Sequence, residues 1–204
     1  MAIKPRGDCN FELTEIVQKV SANSINYNNM RIVNSSGENL NNSAVLVPLV
    51  LNKDHVALLY TLRSNSIERH SGQVSFPGGV IEEGDKSAMD TALRESEEEI
   101  GISRNNVQVI GQLNPFNTST GYIVFPIVGI IDSLDKLSRN SIEVDRIFCI
   151  PLAWLCDPEH SRIQEFFGAD GKIRDAWFFD LYEGELLWGI TAKITKDLIE
   201  IIKK

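Results

Sequence analysis

Cysteine is scarce. The chain has three, Cys9, Cys149 and Cys156, an odd number with no close metal-type spacing, so buried or free thiols are expected. That usage fits a reducing cytosol, and a cytoplasmic location is expected. Long apolar runs are absent too. No stretch reaches the ~18 residues of a membrane span, and the opening MAIKPRGDCN has no apolar signal-peptide core. Basic residues are outnumbered, 20 Lys and Arg against 28 Asp and Glu, for a formal net charge of −8. An acidic chain has no general electrostatic grip on DNA or RNA. It also repels a free phosphorylated metabolite, so such a partner needs a metal bridge and a few placed arginines. No internal repeat is visible. A small-molecule partner is therefore expected, with no nucleic acid and no membrane; composition says nothing of oligomeric state.

What remains suits one domain with a terminal extension: 204 residues, 43% of them hydrophobic. Residues 1–43 read as an N-terminal extension, with a helix over 11–20 (Leu13, Ile16, Val17 and Val20 on one stripe) and a polar Asn/Ser-rich loop. Residues 44–204 read as the main domain. Ala44 to Leu51 is a buried strand whose Pro48 places it at a sheet edge or at a bulge. His55 to Arg63 is its hairpin partner. Val107 to Leu113, Tyr122 to Ile131 and Ile173 to Leu181 are further strands, with Asn114 to Gly121 a loop and Ile131 to Ser141 a polar connection. Pro151 to Leu155 starts a turn or short helix, and Tyr182 to Glu185 is a hairpin turn whose acids are read as solvated. The end of the chain is an amphipathic helix with Ile190, Ile194, Leu198, Ile201 and Ile202 on one stripe. His70 and His160 are isolated, without an assignable partner carboxylate.

The densest chemistry lies in Phe76 to Ile102, FPGGVIEEGDKSAMDTALRESEEEIGI. A Pro-Gly-Gly turn leads to a helix that the spacing starts near Ser87, with Asp90 three residues on as in a capping box, and stops at Gly101. At about 100° per residue, Met89, Ala92, Leu93, Ser96 and Ile100 fall on one side and Glu95, Glu98 and Glu99 on another, while Glu97 points away. An acidic run alone is most simply a solvated face. Converging carboxylates behind glycines that permit close backbone approach suit a hard divalent cation instead.

This stretch resembles the Nudix box: a glycine, a glutamate, then Arg-Glu, an apolar residue, any residue, Glu-Glu, any residue, Gly and an apolar residue. The second half matches from Arg94 to Ile102, with Ser96 where an apolar residue is usual. In the first half Asp85 stands for the glutamate, and the gap to Arg94 is one residue longer than in the family pattern. Asp85, Glu82 and Glu83 are all candidates to pair with Arg94. Upstream, Leu58 to Gly79 resembles the signature that precedes the box in the coenzyme A pyrophosphatase branch, with Arg63, Ser64, Arg69, Gly72 and Gln73 matching. Trp188 to Ala192 resembles that branch's closing signature.

The resemblance implies an α/β Nudix fold, an α/β/α sandwich with a mixed β-sheet between helices. It implies a metal-dependent hydrolase of a diphosphate linkage in a nucleoside diphosphate derivative. For the branch this is coenzyme A or its derivatives, cut to 3′,5′-ADP and 4′-phosphopantetheine. Glu95, Glu98 and Glu99, with a Gly78 or Gly79 carbonyl, are the expected holders of Mg²⁺ or Mn²⁺. One of them, or Glu143, is expected to orient or deprotonate the water. Arg63 and Arg69 present guanidinium forks suited to phosphate oxygens. Gly78 approaches the substrate, and Tyr122 is a candidate for stacking on an adenine, a core or rim role being the alternative. Arg94 and Asp85 are expected to support the box. A Nudix hydrolase of ADP-ribose or another nucleotide, and a Nudix-fold module that binds a nucleotide without cleaving it, are the alternatives.

Overall fold

The computed structural model describes residues 11–25, 41–52, 55–65, 72–118, 121–135, 137–168 and 171–204. Helix α1 (Leu13–Asn23) precedes strands β1 (Asn41–Asn52), β2 (His55–Arg63), β3 (Val74–Ser75) and β4 (Gly78–Val80). Helix α2 (Ala88–Ile100) follows, then β5 (Val107–Gln112), β6 (Phe116–Asn117), β7 (Tyr122–Ile131), β8 (Val144–Pro151) and α3 (Leu152–Cys156). A hairpin of β9 (Ser161–Phe167) and β10 (Ile173–Phe179) and helix α4 (Gly189–Lys203) complete the chain.

Among the described residues eight strands share one sheet, ordered β3-β2-β1-β7-β5, with β4 also on β1, β6 on β7 and β8 on β2. β1 and β7 run parallel from Asn41–Tyr122 to Val50–Ile131, and the other pairings are antiparallel. Parallel neighbours need a crossover, and the segment between these two carries α2. Alternation along the strands sorts the side chains into two layers. Val47, Leu49, Leu58, Tyr60, Val128 and Ile130 face a core shared with α1, α3 and α4. Ala44, Leu46, Val50, Ala57, Leu59 and Ile127 point the other way, toward Ala92, Leu93 and Ile100 of α2. The sheet is therefore mixed and sandwiched between helices.

Pro48 is not at an edge: β1 is central. β1 pairs with β4 over Ser43–Val45 and with β2 from Leu49 onward, so the proline falls where one antiparallel neighbour hands over to the other. Leu46 N donates to Pro77 O on that side at 2.8 Å. Alternate residues of a strand turn their N–H groups the same way, so the donor that Pro48 lacks would face this gap. Pro126 of β7 repeats the device. β5 ends opposite Ile127 and β6 begins opposite Val124. The Pro126 carbonyl, accepting from Leu113 N at 3.0 Å, shows which side its own missing N–H would face.

Helix α1 is part of the same core. Ile16 and Val20 are buried, Lys19 Nζ donates to Ile202 O at 2.7 Å, and Ser21 Oγ donates to Ile110 O at 2.9 Å. The buried side of α4 is Thr191, Ala192, Ile194, Thr195, Leu198, Ile199 and Ile202; Ile190, expected on that stripe, is exposed. Tyr60 crosses the core to Thr195, 2.9 Å from hydroxyl to hydroxyl. Thr195 spends its own proton on Thr191 O, so Tyr60 is the donor. β9 has no counterpart in the sequence reading, because the hairpin projects with Arg162, Ile163, Gln164, Glu165 and Phe167 exposed and so lacks a buried alternation. Glu183 is solvated as expected and Glu185 is half-buried; both pair with Arg146. Among the described residues no helix is long and apolar enough to cross a membrane.

Candidate active site

Helix α2 starts and ends as its sequence dictates. Ser87, extended at φ −164°, accepts from Asp90 N through its Oγ at 3.1 Å. The Asp90 carboxylate reaches back to Lys86 N, one residue beyond the Ser87 N–H of a full capping box. Gly101 closes the helix in the left-handed region at φ 72°. Ser96, in a position where an apolar residue is usual, is fully buried and donates to Ala92 O at 2.6 Å. Met89, expected on the buried side, is exposed, while Thr91 and Glu99 are buried. The buried arc is rotated because β4 approaches the helix on its glutamate side.

That approach depends on the two glycines. A Cβ on Gly79 would stand 2.4 Å from both Cδ and Oε1 of Glu95. Gly78, at φ 157°, lies so close to β1 that a Cβ would meet Ala44 O at 2.3 Å, and its N–H donates to Glu99 Oε2 at 3.3 Å. Bare backbone is thus laid against the Glu95 and Glu99 carboxylates. Glu99 is 4% exposed. Burial pushes its carboxyl up to about 8, against the opposing pull of Arg63 and the Gly78 N–H, and the charges of Glu95 and Glu143 add to the rise. Burial also raises Glu95, with Glu98 and Glu143 adding and Arg94 opposing. Glu98 is at the rim, its side chain 57% exposed.

Arg94 organises the carboxylates. Of its possible partners the structure selects Asp85: Nε and Nη2 donate to the two Asp85 oxygens at 3.0 and 2.9 Å. A turn from Glu82 to Asp85 aims this carboxylate at Arg94, with Glu82 N donating to Asp85 Oδ2 at 2.9 Å. Thr91 Oγ1 donates to the same oxygen at 2.8 Å. Hydrogen bonds from Arg94 hold Asp85 well below the usual carboxylate range against its burial, and those from Glu82 N and Thr91 add to them. With Nη1, Arg94 reaches Glu95 Oε1 at 2.8 Å and Glu98 Oε2 at 3.5 Å.

The remaining expected residues are placed as follows. Arg63 ends β2 with Nη1 3.9 Å from Glu99 Oε1, and its buried Nε has no hydrogen-bond partner among the described residues. Glu143 is half-buried in the turn before β8, and its charge acts on both Glu95 and Glu99. Tyr122 opens β7, tied through its backbone to Thr118 Oγ1; it is at the sheet end that holds Gly79, two strands away. Arg69 and His70 lie outside the described residues. His160 is stacked on Trp154, ring centroids 4.3 Å apart. Sequence reading passed over Ser138 and Asn140, which dock the connection before Glu143 onto the end of α2. No local pattern signals a contact so distant along the chain.

Among the described residues no three metal-ligating side chains are gathered closely enough to share an ion as they stand, Arg94 drawing Glu95 and Glu98 to itself. The donor set nevertheless fits Mg²⁺ or Mn²⁺. It offers hard carboxylate oxygens, a glycine backbone packed so tightly on Glu95 that a methyl is excluded, and a surplus of negative charge around a buried glutamate.

The NUDIX domain family model matches residues 40–178. A NudL protein of Photorhabdus laumondii, described as an uncharacterized Nudix hydrolase, is 40% identical over 169 residues, 81% of this chain and 87% of that protein. Its Yersinia enterocolitica counterpart is 37% identical over 169 residues, 81% and 84% of the two chains. Among solved structures, a NUDIX hydrolase of Alicyclobacillus acidocaldarius superposes with a TM-score of 0.52 at 15% identity, covering 81% of this chain and 93% of that one. A MutT/nudix family protein of Enterococcus faecalis gives a TM-score of 0.50 at 18% identity, covering 97% and 72%. With the family match spanning the sheet and the glutamate helix, this chain belongs to the Nudix hydrolases, metal-using pyrophosphohydrolases of nucleoside diphosphate derivatives.

Proposed function

We propose that the chain hydrolyses coenzyme A or its derivatives to 3′,5′-ADP and 4′-phosphopantetheine or its acylated form. The reading rests on the Leu58–Gly79 and Trp188–Ala192 resemblances to the coenzyme A branch. The observation that carries it is Arg63. Within the upstream stretch, this residue ends β2 beside Glu99 with a buried guanidinium nitrogen unpaired among the described residues. A phosphate oxygen of the diphosphate is the ligand such a fork takes.

Glu95, Glu98 and Glu99, with the Gly79 carbonyl, hold the metal. When bound, it supplies positive charge for the diphosphate oxygens and the attacking water. Arg94 fixes Glu95 in the direction set by Asp85. Glu143, whose charge already acts on Glu95 and Glu99, orients the water and takes its proton. The water oxygen bonds to one phosphorus, the anhydride P–O bond breaks, and each product leaves with a phosphate monoester. Arg63 and Arg69 bear on the phosphate oxygens, and Tyr122 stacks on the adenine.

Product analysis by mass spectrometry, with coenzyme A and ADP-ribose incubated in parallel with Mg²⁺ or Mn²⁺, tests this. 3′,5′-ADP and phosphopantetheine from coenzyme A are expected. Cleavage of ADP-ribose alone keeps the metal site and discards the substrate. Arg63→Ala is expected to raise KM about ten-fold or more with a smaller change in kcat; an unchanged KM removes Arg63 from phosphate binding.

A further inference from the structure

The last carbonyls of a helix have no partner within it and must find one elsewhere. At the end of α2, Gly101 N takes Glu97 O at 3.1 Å and Ile102 N takes Ser96 O at 3.4 Å. The carbonyls of Glu99 and Ile100 are met by a distant segment. Ser138 N donates to Ile100 O at 3.0 Å, and Asn140 N donates to Glu99 O at 2.8 Å. Gly101 makes the room, since a Cβ there would stand 3.0 Å from Ser138 Cβ and Ser138 O.

Asn140 also builds the turn that carries Glu143. Its Oδ1 accepts from Ile142 N at 3.1 Å. Its carbonyl accepts from Glu143 N at 3.1 Å and from Val144 N at 2.8 Å. On the far side of the turn Ser64 N, the residue after Arg63, donates to Glu143 O at 2.8 Å. One residue is therefore bonded both to the peptide of Glu99 and to the peptide of Glu143.

We infer that Asn140 is a positioning residue, holding Glu143 in register with Glu95 and Glu99 across the metal site. The inference rests on the role proposed above for Glu143. It assigns to Asn140 no contact with substrate or metal. The effect is carried by the turn: without the Oδ1 acceptor the exposed Ile142 N–H turns to water, the turn loosens, and the Glu143 carboxylate is spread over positions of which few serve the reaction.

The test uses the full chain and four variants, Asn140→Ala, Asn140→Ser, Glu143→Gln and the double Asn140→Ala/Glu143→Gln. Serine keeps a short side-chain oxygen for the turn without adding charge. Mn²⁺ affinity is read by electron paramagnetic resonance. The rate is read on coenzyme A, or on ADP-ribose if that is the compound cleaved. Asn140→Ala is expected to lower kcat about ten-fold with KM within about two-fold, and to weaken Mn²⁺ binding about three-fold or more. Asn140→Ser should recover most of both, and the double variant should lose no more than Glu143→Gln alone. Glu143→Gln with both readings at wild-type levels would overturn the reading of Glu143 and the inference with it. A damaging Glu143→Gln beside a silent Asn140→Ala, or single losses that multiply in the double variant, would overturn the inference alone. If alanine unfolds the chain, Asn140→Leu, which keeps the bulk but likewise lacks the Oδ1 acceptor, and its double with Glu143→Gln decide on the same criteria.

Discussion

At Gly79 a single methyl is enough to disturb the site. Its Cβ would press on a Glu95 carboxylate that Arg94 already holds. Gly79→Ala is therefore expected to lower kcat about ten-fold or more while the thermal midpoint moves by only a few degrees, roughly the effect of 1 kcal/mol. Wild-type kcat in that variant would release Glu95 from its assigned role. Asp85 gives a stability prediction with a sign. Its carboxyl is held below its ordinary value by Arg94, so the stabilisation is complete above the unfolded carboxylate pKa of about 4 and drains away as pH falls toward the folded value. Asp85→Asn should cost roughly 2 kcal/mol at pH 7 in urea unfolding, and the gap from wild type should narrow steadily below about pH 4. A gap independent of pH would deny the carboxylate its part. The sequence revealed that Glu95, Glu98 and Glu99 lie on one side of α2, because helical period alone decides it. It left the partner of Arg94 open, because the course of the Glu82–Asp85 turn decides that and no period describes a turn.

Elements were legible wherever one face is buried and the other is not. The hairpin of β1 and β2 and the span of α2 follow from apolar runs and end signals. The projecting β9–β10 hairpin left no such trace, and the stripe on α4 is shifted because threonines share the buried side. Thr195 is tolerated there because its hydroxyl is used locally on Thr191 O, and Tyr60 supplies the remaining bond from β2. Tyr60→Phe should cost about 1 kcal/mol in denaturant midpoint, since Thr195 keeps its own donation and loses only an acceptor's partner. A neutral result would mean that Tyr60 contributes through its ring, which is stacked on Phe76 with centroids 4.8 Å apart.

For the molecule as a whole, eight surplus negative charges make cation binding a stability term. Mg²⁺ that binds only the folded state should raise stability by about 1.4 kcal/mol at ten times its Kd, and Glu99→Gln should flatten the response. An equal rise with NaCl at matched ionic strength would assign it to screening instead. The two strand prolines carry a consequence at this scale. A shift of β1 or β7 by one residue would turn each proline's missing donor from a gap toward a neighbour that needs it, and would invert the buried and exposed rows together. Pro48 and Pro126 thus act as stops against sliding. Because β4 is laid on β1 just ahead of Pro48, the stop that fixes the sheet also sets the distance between the glycines and the glutamates of α2.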